Sequence, residues 1–477
     1  MAGWFTRRRF FEATAAWSAF LASCKRQTPE DAENGPRRVG KPLRAYGERS
    51  EFEKAARALP TTKILEVGSS YTPLAETLGI VTPSALHYER LHSGVPTIDP
   101  AAHRLLIHGM VDRPLIFTMD DLRRLPSVSR IYFIECSGNS HLGYGRRDSP
   151  TVQLSHGLTS CSEWTGVRLG LLLSEAGVQK GAKWILAEGA DACKMQRSIP
   201  IQKAMDDILV AYGQNGEAMR PEQGYPLRLV IPGWEGNANV KWLRRLKAVE
   251  QPYMTRDETS KYTDSMPDGT AREFTFVMEA KSVVTFPSGG QKLPGPGFFE
   301  ITGLAWSGRG RIERVEISTD GGSAWQDADL SEPRLPMAFT RFRFGWKWDG
   351  REVTVQSRAI DESGYVQPSH EELVAVRGPN YEYHNNGIRV WKINVDGTVT
   401  DAAAYVCDRV GLGGASGAIA QVRRGTDANG RRDACHGPLD PSRWNGLARG
   451  PRDCCRWPRY LCSALRAMSR REGRRRR

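Results

Sequence analysis

The sequence predicts an α+β domain followed by an all-β domain. Helix-like and strand-like patterns mix between about residues 51 and 250, whereas the apolar period changes to two beyond about residue 271. Turns rich in glycine separate the later segments at the spacing of an antiparallel sandwich. A chain of 477 residues is also too long for one ordinary core. Because it has no run of 18 apolar residues, a membrane-spanning helix is excluded.

The first domain contains a strand that leads into a loop and a helix with a clear stop. Residues 130–135 form a short apolar run that ends at Cys136 and Gly138, which predicts a buried strand followed by a loop. Residues 168–176 place three leucines on one helical face just before Gly177. This combination is typical of a helix and its C-terminal cap.

Two more elements are predicted further along the first domain. Ser198 is expected to cap a second helix, whose apolar residues recur at helical spacing between Ile201 and Ile208. Residues 227–231 are apolar and are halted by a Pro-Gly pair, which predicts another buried strand.

The second domain shows a strict alternation of side chains. Residues 341–348 alternate aromatic residues with arginine, glycine or lysine, and a turn at 349–350 follows. Residues 314–318 alternate in the same way before two glycines at 321–322. Alternation of this kind is typical of strands with one face in a core. We therefore expect a β-sandwich over residues 265–395.

The N-terminus resembles an export signal. Three arginines at 7–9 precede a short apolar stretch, the pattern of a twin-arginine signal over residues 1–30. It predicts that the folded protein is exported to the periplasm; the alternative is a basic start with no targeting role. Cys24 follows small residues as in a lipoprotein cleavage box, so lipid anchoring is a further alternative. Residues 31–50 are expected to form a linker or extended arm.

The formal net charge of +13 is concentrated near the C-terminus. Residues 401–477 hold 17 arginines, no lysine, 7 acidic residues and five of the nine cysteines. Two interpretations stay open: a basic tail that binds nucleic acid or an acidic partner, and the product of a reading-frame shift in a GC-rich gene, which the composition favours. Since the rest of the chain is close to neutral, no nucleic-acid partner is expected.

Cys136 is the first candidate for chemistry. A loop after a buried strand can present the sulfur to a ligand, and a thiolate binds soft transition metals strongly. The alternative is that Cys136 is a buried small apolar residue, as a lone cysteine after a strand more often is. Cys161 and Cys193 lie in no CxxC or Cys/His spacing, so zinc is not indicated.

Three loops bounded by glycine or proline carry cationic and polar side chains. They span residues 88–92, 223–228 and 233–242. Arginine forks and glycine backbone N–H groups suit phosphates and oxyanions. The alternative is that Arg90 and Arg228 form ordinary surface ion pairs. Spacing alone does not decide whether the three loops converge.

Several segments together resemble the sulfite oxidase family of molybdopterin enzymes, and within it the sulfane dehydrogenase subunits of bacterial sulfur-oxidising systems. The resemblance covers about residues 66–400. It is carried by residues 134–139, 158–164, 211–216, 224–233, 240–243, 259–264 and 383–387, with Gly166 and Leu169. It implies a sulfite-oxidase-type molybdopterin-binding domain over 51–255, followed by an immunoglobulin-like β-sandwich dimerisation domain over 265–395.

The resemblance implies a molybdenum-molybdopterin cofactor (Mo-MPT), with Cys136 as the single protein sulfur on the metal. It also implies that Arg90 faces the substrate oxyanion. The residues that it assigns to cofactor binding are Tyr88, Glu89, Arg90, His92, Cys136, Asp191, Gln223, Arg228, Asn239, Val240 and Lys241.

The chain departs from the family pattern at the substrate side. Ser140 and His141 stand where sulfite oxidases have arginines, and Met195 stands where the family has an active-site tyrosine. We expect Arg197 to supply replacement positive charge as a catalytic residue. These departures favour a sulfur chain on a carrier protein over free sulfite.

The reaction expected from the resemblance is a two-electron oxidation of a sulfur substrate at molybdenum. Electrons leave to a separate c-type cytochrome subunit, the substrate is held by a sulfur-carrier protein, and two copies pair through the sandwich within a hetero-oligomer. The alternatives are a sulfite dehydrogenase, a periplasmic sulfoxide reductase of the same fold, and a cofactor-free scaffold that binds partners.

Overall fold

A computed structural model of the chain describes residues 43–59, 65–140, 151–266, 268–378 and 381–402. The predicted signal peptide at 1–30, Cys24, His141, most of the predicted linker at 31–50 and the tail beyond residue 402 lie outside these ranges. The expectations placed on them stay predictions. Residues 43–50, the described end of the predicted linker, are exposed and contain no helix or strand.

The first part of the described chain is built from two five-stranded sheets and two short strand pairs. Its strands are β1 (Ser69–Ser70), β2 (Glu89–Arg90), β3 (Leu105–Gly109), β4 (Leu115–Phe117), β5 (Ser127–Glu135), β6 (Thr159–Arg168), β7 (Trp184–Gly189), β8 (Gln196–Pro200), β9 (Leu209–Gln214), β10 (Glu217–Ala218), β11 (Arg228–Val230), β12 (Leu243–Val249), β13 (Asp264–Ser265) and β14 (Ala271–Arg272). One sheet has the order β10-β9-β6-β5 with β11 also on β9, and the other has the order β4-β3-β12-β7-β8. All their pairings are antiparallel except that of β12 with β3.

Short helices lie between the strands of the first part, and one more helix lies within the second part. They are α1 (Met119–Arg124), α2 (Val152–His156), α3 (Leu169–Ala176), α4 (Ile201–Asp206), α5 (Arg256–Thr259) and α6 (His370–Arg377). The helix predicted before Gly177 is confirmed as α3: its leucines at 169, 172 and 173 are buried, and Gly177 ends it with a φ of 69°. The strand predicted before Cys136 is confirmed as β5, and that over 227–231 as β11.

The predicted capping role of Ser198 is wrong. Ser198 lies inside β8, and its hydroxyl donates to the Glu258 carboxylate instead of to a helix N-terminus. Pairing of β8 with β7 takes priority here, and α4 begins after Pro200 with no side-chain cap. The helix also ends at Asp206, before the last apolar position of the predicted pattern.

The second part of the described chain is a β-sandwich. Its strands are β15 (Lys281–Phe286), β16 (Gly297–Trp306), β17 (Ile312–Ser318), β18 (Gln326–Asp327), β19 (Asp329–Leu330), β20 (Thr340–Trp348), β21 (Val353–Asp361), β22 (Val390–Ile393) and β23 (Val399–Asp401). A four-stranded sheet, β15-β16-β20-β19, faces a five-stranded sheet, β18-β17-β21-β22-β23, across a shared apolar core. In β20 the buried Phe342 and Trp348 lie on the alternating aromatic positions. The predicted fold class, an α+β domain followed by a β-sandwich, is confirmed.

The two parts share packed surface. The sandwich core includes Phe133 from β5, Val152 from α2 and Cys161 from β6. Cys161 is fully buried there as an apolar side chain. Strand β23 reaches Asp401, one residue into the predicted tail. In the described ranges no helix has the length and apolar character needed to span a membrane.

Candidate active site

Cys136 follows directly on β5 and begins a tight loop. Its backbone N–H donates to the Leu158 carbonyl at 2.9 Å, and its own carbonyl accepts from the N–H of Asn139 at 2.9 Å. The side chain is 9% exposed, so the sulfur lies at the wall of the domain and not in open solvent. Sheet pairing of β5 with β6 fixes the point at which the strand ends, and with it the place of the sulfur.

The loop at 232–239 packs directly against this cysteine loop. A single bridge pairs Glu135 with Glu235 in parallel. A Cβ added at Gly236 would lie 2.7 Å from the Tyr88 hydroxyl and 3.3 Å from Cys136 Cα, so only glycine fits there. This close approach brings the third predicted loop onto the first predicted loop and onto the cysteine loop.

One cavity joins the three cationic loops that the sequence indicates. The described residues that line it are His87, Tyr88, Arg90, His92, Ile134, Cys136, Asp191, Met195, Gln223, Arg228, Gly236, Asn237, Asn239, Val240, Lys241, Trp242 and Tyr262. Ten of the twelve predicted site residues are among them. The loops therefore converge around the sulfur of Cys136, which spacing could not decide.

Glu89 and Arg197 do not line the cavity. Glu89 accepts from the Ser70 hydroxyl at 2.8 Å and pairs with Arg57 at 3.1 Å, so its carboxylate anchors β2 to its neighbours. Arg197 is 1% exposed and pairs with the Glu235 carboxylate at 2.8 Å. Its charge is therefore matched one layer behind the cavity wall, and a direct contact with substrate is not favoured by this geometry.

Sequence reasoning missed two side chains with chemistry of their own, His87 and Tyr262. Tyr262 has a φ of 51°, a left-handed backbone conformation that is costly for an aromatic residue. Its hydroxyl and His92 Nε2 are joined by a 2.9 Å hydrogen bond, and the Arg197 guanidinium lies 5.4 Å from its ring centre. The feature that marks Tyr262 as a candidate is its strained backbone conformation at the cavity, and no pattern of residue types shows that conformation.

The cavity is rich in positive charge. Arg90, Arg228 and Lys241 line it, whereas Asp191 is the one carboxylate among its described lining residues. The guanidinium of Arg228 donates to the backbone carbonyls of Gln223 and Asn239 at 2.8 and 3.2 Å, so no carboxylate matches its charge. Burial lowers the pKa of Arg228 to about 10.

The same environment acts on the neighbouring titratable groups. Burial, with repulsion from Arg228, lowers the pKa of Lys241 to about 7. Burial and the nearby Arg90 lower the pKa of His92 to about 4, so this imidazole is neutral. Burial raises the pKa of the Cys136 thiol, against the opposing effects of the Gly138 N–H and Arg90. The cavity therefore favours an anion, and the cysteine needs a metal to become a thiolate.

These features fit Mo-MPT. The sulfur of Cys136 is a ligand of the kind that a soft metal takes, and it lines the same cavity as cations that no carboxylate pairs with and that suit a phosphate-bearing pterin. Nε2 of His87 is buried without a partner in the described part of the chain. In these ranges no three His, Cys, Asp or Glu side chains converge as a metal-binding group. Cys136 would hold the metal, while Arg228, Lys241 and Asn239 would hold the pterin and its phosphate.

We expect anion binding to this cavity to be coupled to proton uptake by Lys241. Between about pH 7 and 10.5 the unfolded chain binds one more proton at this lysine than the folded chain does, so its contribution makes the cofactor-free protein more stable as pH rises. An anion bound beside Lys241 stabilises its protonated form. In the anion-bound protein the lysine therefore keeps its proton, and this pH dependence of stability is lost. Sulfate, whose charge is constant in this range, should therefore bind more tightly at about pH 6 than at about pH 9.

Calorimetric titration with sulfate measures this difference. The Lys241→Met variant is the control, because without the amine the affinity should be weak and nearly independent of pH. Equal sulfate affinity of the unchanged protein at both pH values would contradict the predicted coupling.

Two family models match the chain. The oxidoreductase molybdopterin binding domain matches residues 92–256, and the Mo-co oxidoreductase dimerisation domain matches residues 272–391. The first match holds thirteen of the seventeen described residues that line the cavity, and the second holds the sandwich strands from β15 to the start of β22. They follow one another along the chain in the order of the two observed parts.

Several curated proteins are similar to this chain. The sulfite oxidase of Gallus gallus is 30% identical over 360 residues, which cover 69% of this chain and 75% of that protein. The nitrate reductase [NAD(P)H] of Hordeum vulgare is 32% identical over 334 residues, 61% of this chain. The chain spans only 37% of the length of that protein, and 38% of the nitrate reductase [NADH] of Ulva prolifera.

A solved structure extends the similarity to three dimensions. The crystal structure of the sulfane dehydrogenase SoxCD from Paracoccus pantotrophus matches with a TM-score of 0.76 and 44% sequence identity, over 79% of this chain and 99% of that chain. The resemblance stated from sequence motifs is thereby confirmed. The chain belongs to the sulfite oxidase family of molybdopterin oxidoreductases, and its cofactor is molybdenum-molybdopterin.

Proposed function

We propose that this protein is a molybdenum-dependent sulfane dehydrogenase that oxidises sulfane sulfur bound to a carrier protein and passes the electrons to a c-type cytochrome subunit. The observation that carries the proposal is the single thiol of Cys136 in a cavity lined by Arg90, Arg228 and Lys241. The 44% identity with a sulfane dehydrogenase along 99% of that chain supports it. We place the protein in the periplasm, on the evidence of the twin-arginine pattern at its N-terminus.

The protein's part in the reaction is to bind, orient and stabilise charge. When bound, the cofactor supplies oxygen-atom transfer and two-electron redox chemistry. Cys136 would hold the metal as a thiolate, with the loss of its thiol proton. Arg90 lies near this sulfur and is not matched by a carboxylate in the cavity, so it attracts the negative charge that develops on the oxidised sulfur group.

Proton handling falls to a second pair of groups that also line the cavity, Tyr262 and His92. The hydroxyl of Tyr262 and Nε2 of the neutral His92 imidazole are joined by a hydrogen bond of 2.9 Å. Water consumed in the reaction releases protons, and we assign their relay to this hydrogen-bonded pair, since the low pKa of His92 keeps its imidazole from retaining a proton. Because burial raises the pKa of Tyr262 well above its usual range, the phenol stays protonated at rest.

The choice of sulfane over sulfite rests on Met195. This thioether lines the cavity and is 8% exposed, and its backbone N–H donates to Asp191 Oδ1 at 3.1 Å. An apolar, polarisable side chain suits a sulfur chain better than a small hydrated dianion. Sulfite oxidation is the second candidate, since sulfite oxidases are among the similar proteins and Arg90 suits either product.

One set of assays separates these activities. Purified, exported protein is first analysed for molybdenum and pterin, and then supplied with a carrier-bound sulfane, with sulfite, or with methionine sulfoxide and reduced methyl viologen. The proposal requires cytochrome c reduction to be fastest with the sulfane. Faster turnover of sulfite or of the sulfoxide would replace it, and protein with neither metal nor pterin would favour a cofactor-free scaffold.

Arg90 is expected to matter for rate more than for cofactor content. Because it faces the charge that develops on sulfur, Arg90→Gln should lower kcat/KM by about 100-fold while molybdenum content stays near that of the unchanged protein. Steady-state kinetics and metal analysis of the same preparation measure both. The matched control is Arg244→Gln, a partly exposed arginine paired with Glu188 outside the cavity. An unchanged kcat/KM in Arg90→Gln would contradict the assigned role.

For assembly, we propose a homodimer formed through the sandwich, within a larger complex that includes the cytochrome. The matching dimerisation model over residues 272–391 supports the first part. The carrier protein reaches the cavity as a transient partner, and no nucleic acid takes part. Light scattering of the purified chain, alone and with the cytochrome, measures each step.

A further inference from the structure

His87 is a buried polar residue on the cavity wall that no sequence motif assigns. It follows a short 3-10 turn at Ser84–Leu86 and is 1% exposed. Its ring stacks on Tyr88 with centres 5.2 Å apart and meets the Trp164 ring edge-on at 5.7 Å. These contacts on its faces fix the orientation of the imidazole.

The hydrogen bonds of His87 determine its tautomer. Nδ1 lies 3.1 Å from the Tyr88 carbonyl oxygen, which can only accept, so Nδ1 carries the proton. Burial lowers the pKa of His87 to about 3, and the charges of Arg228, Lys241 and Arg57 add to this effect. The imidazole is therefore neutral, and Nε2 presents a lone pair.

That lone pair has no hydrogen-bond partner in the described part of the chain. The hydrogen bonds of nearby donors go to other acceptors: Gln223 Nε2 donates to the Tyr88 carbonyl at 2.9 Å, and Lys241 Nζ donates to the carbonyls of Glu222 and Arg90 at 2.9 and 3.2 Å. A buried acceptor left unpaired is unfavourable, so a partner from the ligand is expected.

We propose that Nε2 of His87 accepts a hydrogen bond from an N–H group of the pterin ring system. The charged side chains of the cavity are mostly hydrogen-bond donors, whereas Nε2 of His87 is an acceptor. It is therefore suited to the part of the cofactor that donates hydrogen bonds, which is its amino and ring N–H groups. The phosphate end is left to the cations. This inference rests on the molybdopterin cofactor and is independent of the sulfur substrate.

The test compares three substitutions in the full-length protein by the pterin that each retains. His87→Phe keeps the ring packing and removes the acceptor, whereas His87→Gln can place an amide oxygen near the position of Nε2. After dialysis, pterin is oxidised and measured by fluorescence. We expect the dissociation constant of pterin to rise by about tenfold in His87→Phe and by less than about threefold in His87→Gln.

His156→Phe is the matched control. This histidine is also 2% exposed or less, and its Nε2 also lacks a partner in the described ranges, but it does not line the cavity. It should retain pterin as the unchanged protein does. Without cofactor, His87→Phe should unfold at a denaturant concentration equal to or higher than that of the unchanged protein. The Tyr88 carbonyl still accepts from Gln223 Nε2, and the substitution removes a buried acceptor that has no partner in the described part of the chain.

Two results would overturn the proposal. Full pterin retention by His87→Phe would show that Nε2 has no ligand partner. Equal pterin loss in the Phe and Gln variants, with the cofactor-free proteins equally destabilised, would assign His87 to packing alone. Neither result touches the sulfane dehydrogenase proposal, because no turnover is measured.

Discussion

Replacing Cys136 with serine is expected to reduce turnover to background while the protein remains folded. A serine hydroxyl is a poor ligand for a soft metal, and the cavity offers no other sulfur at its described wall except the thioether of Met195. The free energy of unfolding should change by less than about 2 kcal/mol, since the change in side-chain volume is small. Activity, molybdenum content and a denaturation curve of one preparation measure these three quantities.

Cys161→Ser provides the matched control. This thiol is also buried, and burial raises its pKa to about 12, but it packs in the sandwich core away from the cavity. It should keep the metal and the activity, with only a loss of stability from the buried hydroxyl. If Cys136→Ser instead turned over at a rate close to that of Cys161→Ser, the assignment of Cys136 as metal ligand would be refuted.

Features that follow from local sequence could be predicted here. The end of β5 at Cys136, the stop of α3 at Gly177 and the alternation of β20 each depend on a few consecutive residues. The motifs also indicated the three loops of the cavity. Their convergence could not be predicted, because it depends on the pairing of β5 with the segment at Glu235, about a hundred residues later.

What the sequence did not reveal about the site has the same physical origin. Arg197 was expected to offer free charge, but its partner Glu235 lies on a different loop and no spacing shows the pair. Tyr262 lines the cavity with a strained backbone conformation. The availability of His87 Nε2 as an acceptor depends on the hydrogen bond that Nδ1 already makes. Such facts belong to three-dimensional pairing, which a pattern of residue types does not contain.

The sandwich does more than pack beside the first domain, because it holds the cysteine loop in place. Glu135, the residue before Cys136, is fully buried and accepts from Lys281 of β15 and from Trp306 Nε1 of β16, the latter at 2.7 Å. Asn139 Nδ2 donates to the same carboxylate at 2.8 Å. The backbone of residues 137 and 140 also accepts hydrogen bonds from residues 384 and 385.

Lys281→Met is therefore expected to destabilise the protein strongly. Removing the ammonium leaves the charge of the buried Glu135 carboxylate with only neutral hydrogen-bond donors around it. Breaking a buried ion pair in this way lowers the free energy of unfolding by about 3–5 kcal/mol. Chemical denaturation of the cofactor-free protein measures the loss. Adding Glu135→Gln to the same chain should recover much of it, because the second substitution removes the unmatched charge.

The control for this pair lies on the same sandwich. Arg343 of β20 and Glu300 of β16 also form a cross-strand ion pair, but both side chains are 48% exposed. Arg343→Met should cost less than about 1 kcal/mol, since water already screens that pair. If Lys281→Met cost no more than Arg343→Met, the carboxylate of Glu135 would have to be neutral or solvated, and the ammonium of Lys281 would have no part in fixing the loop that carries Cys136.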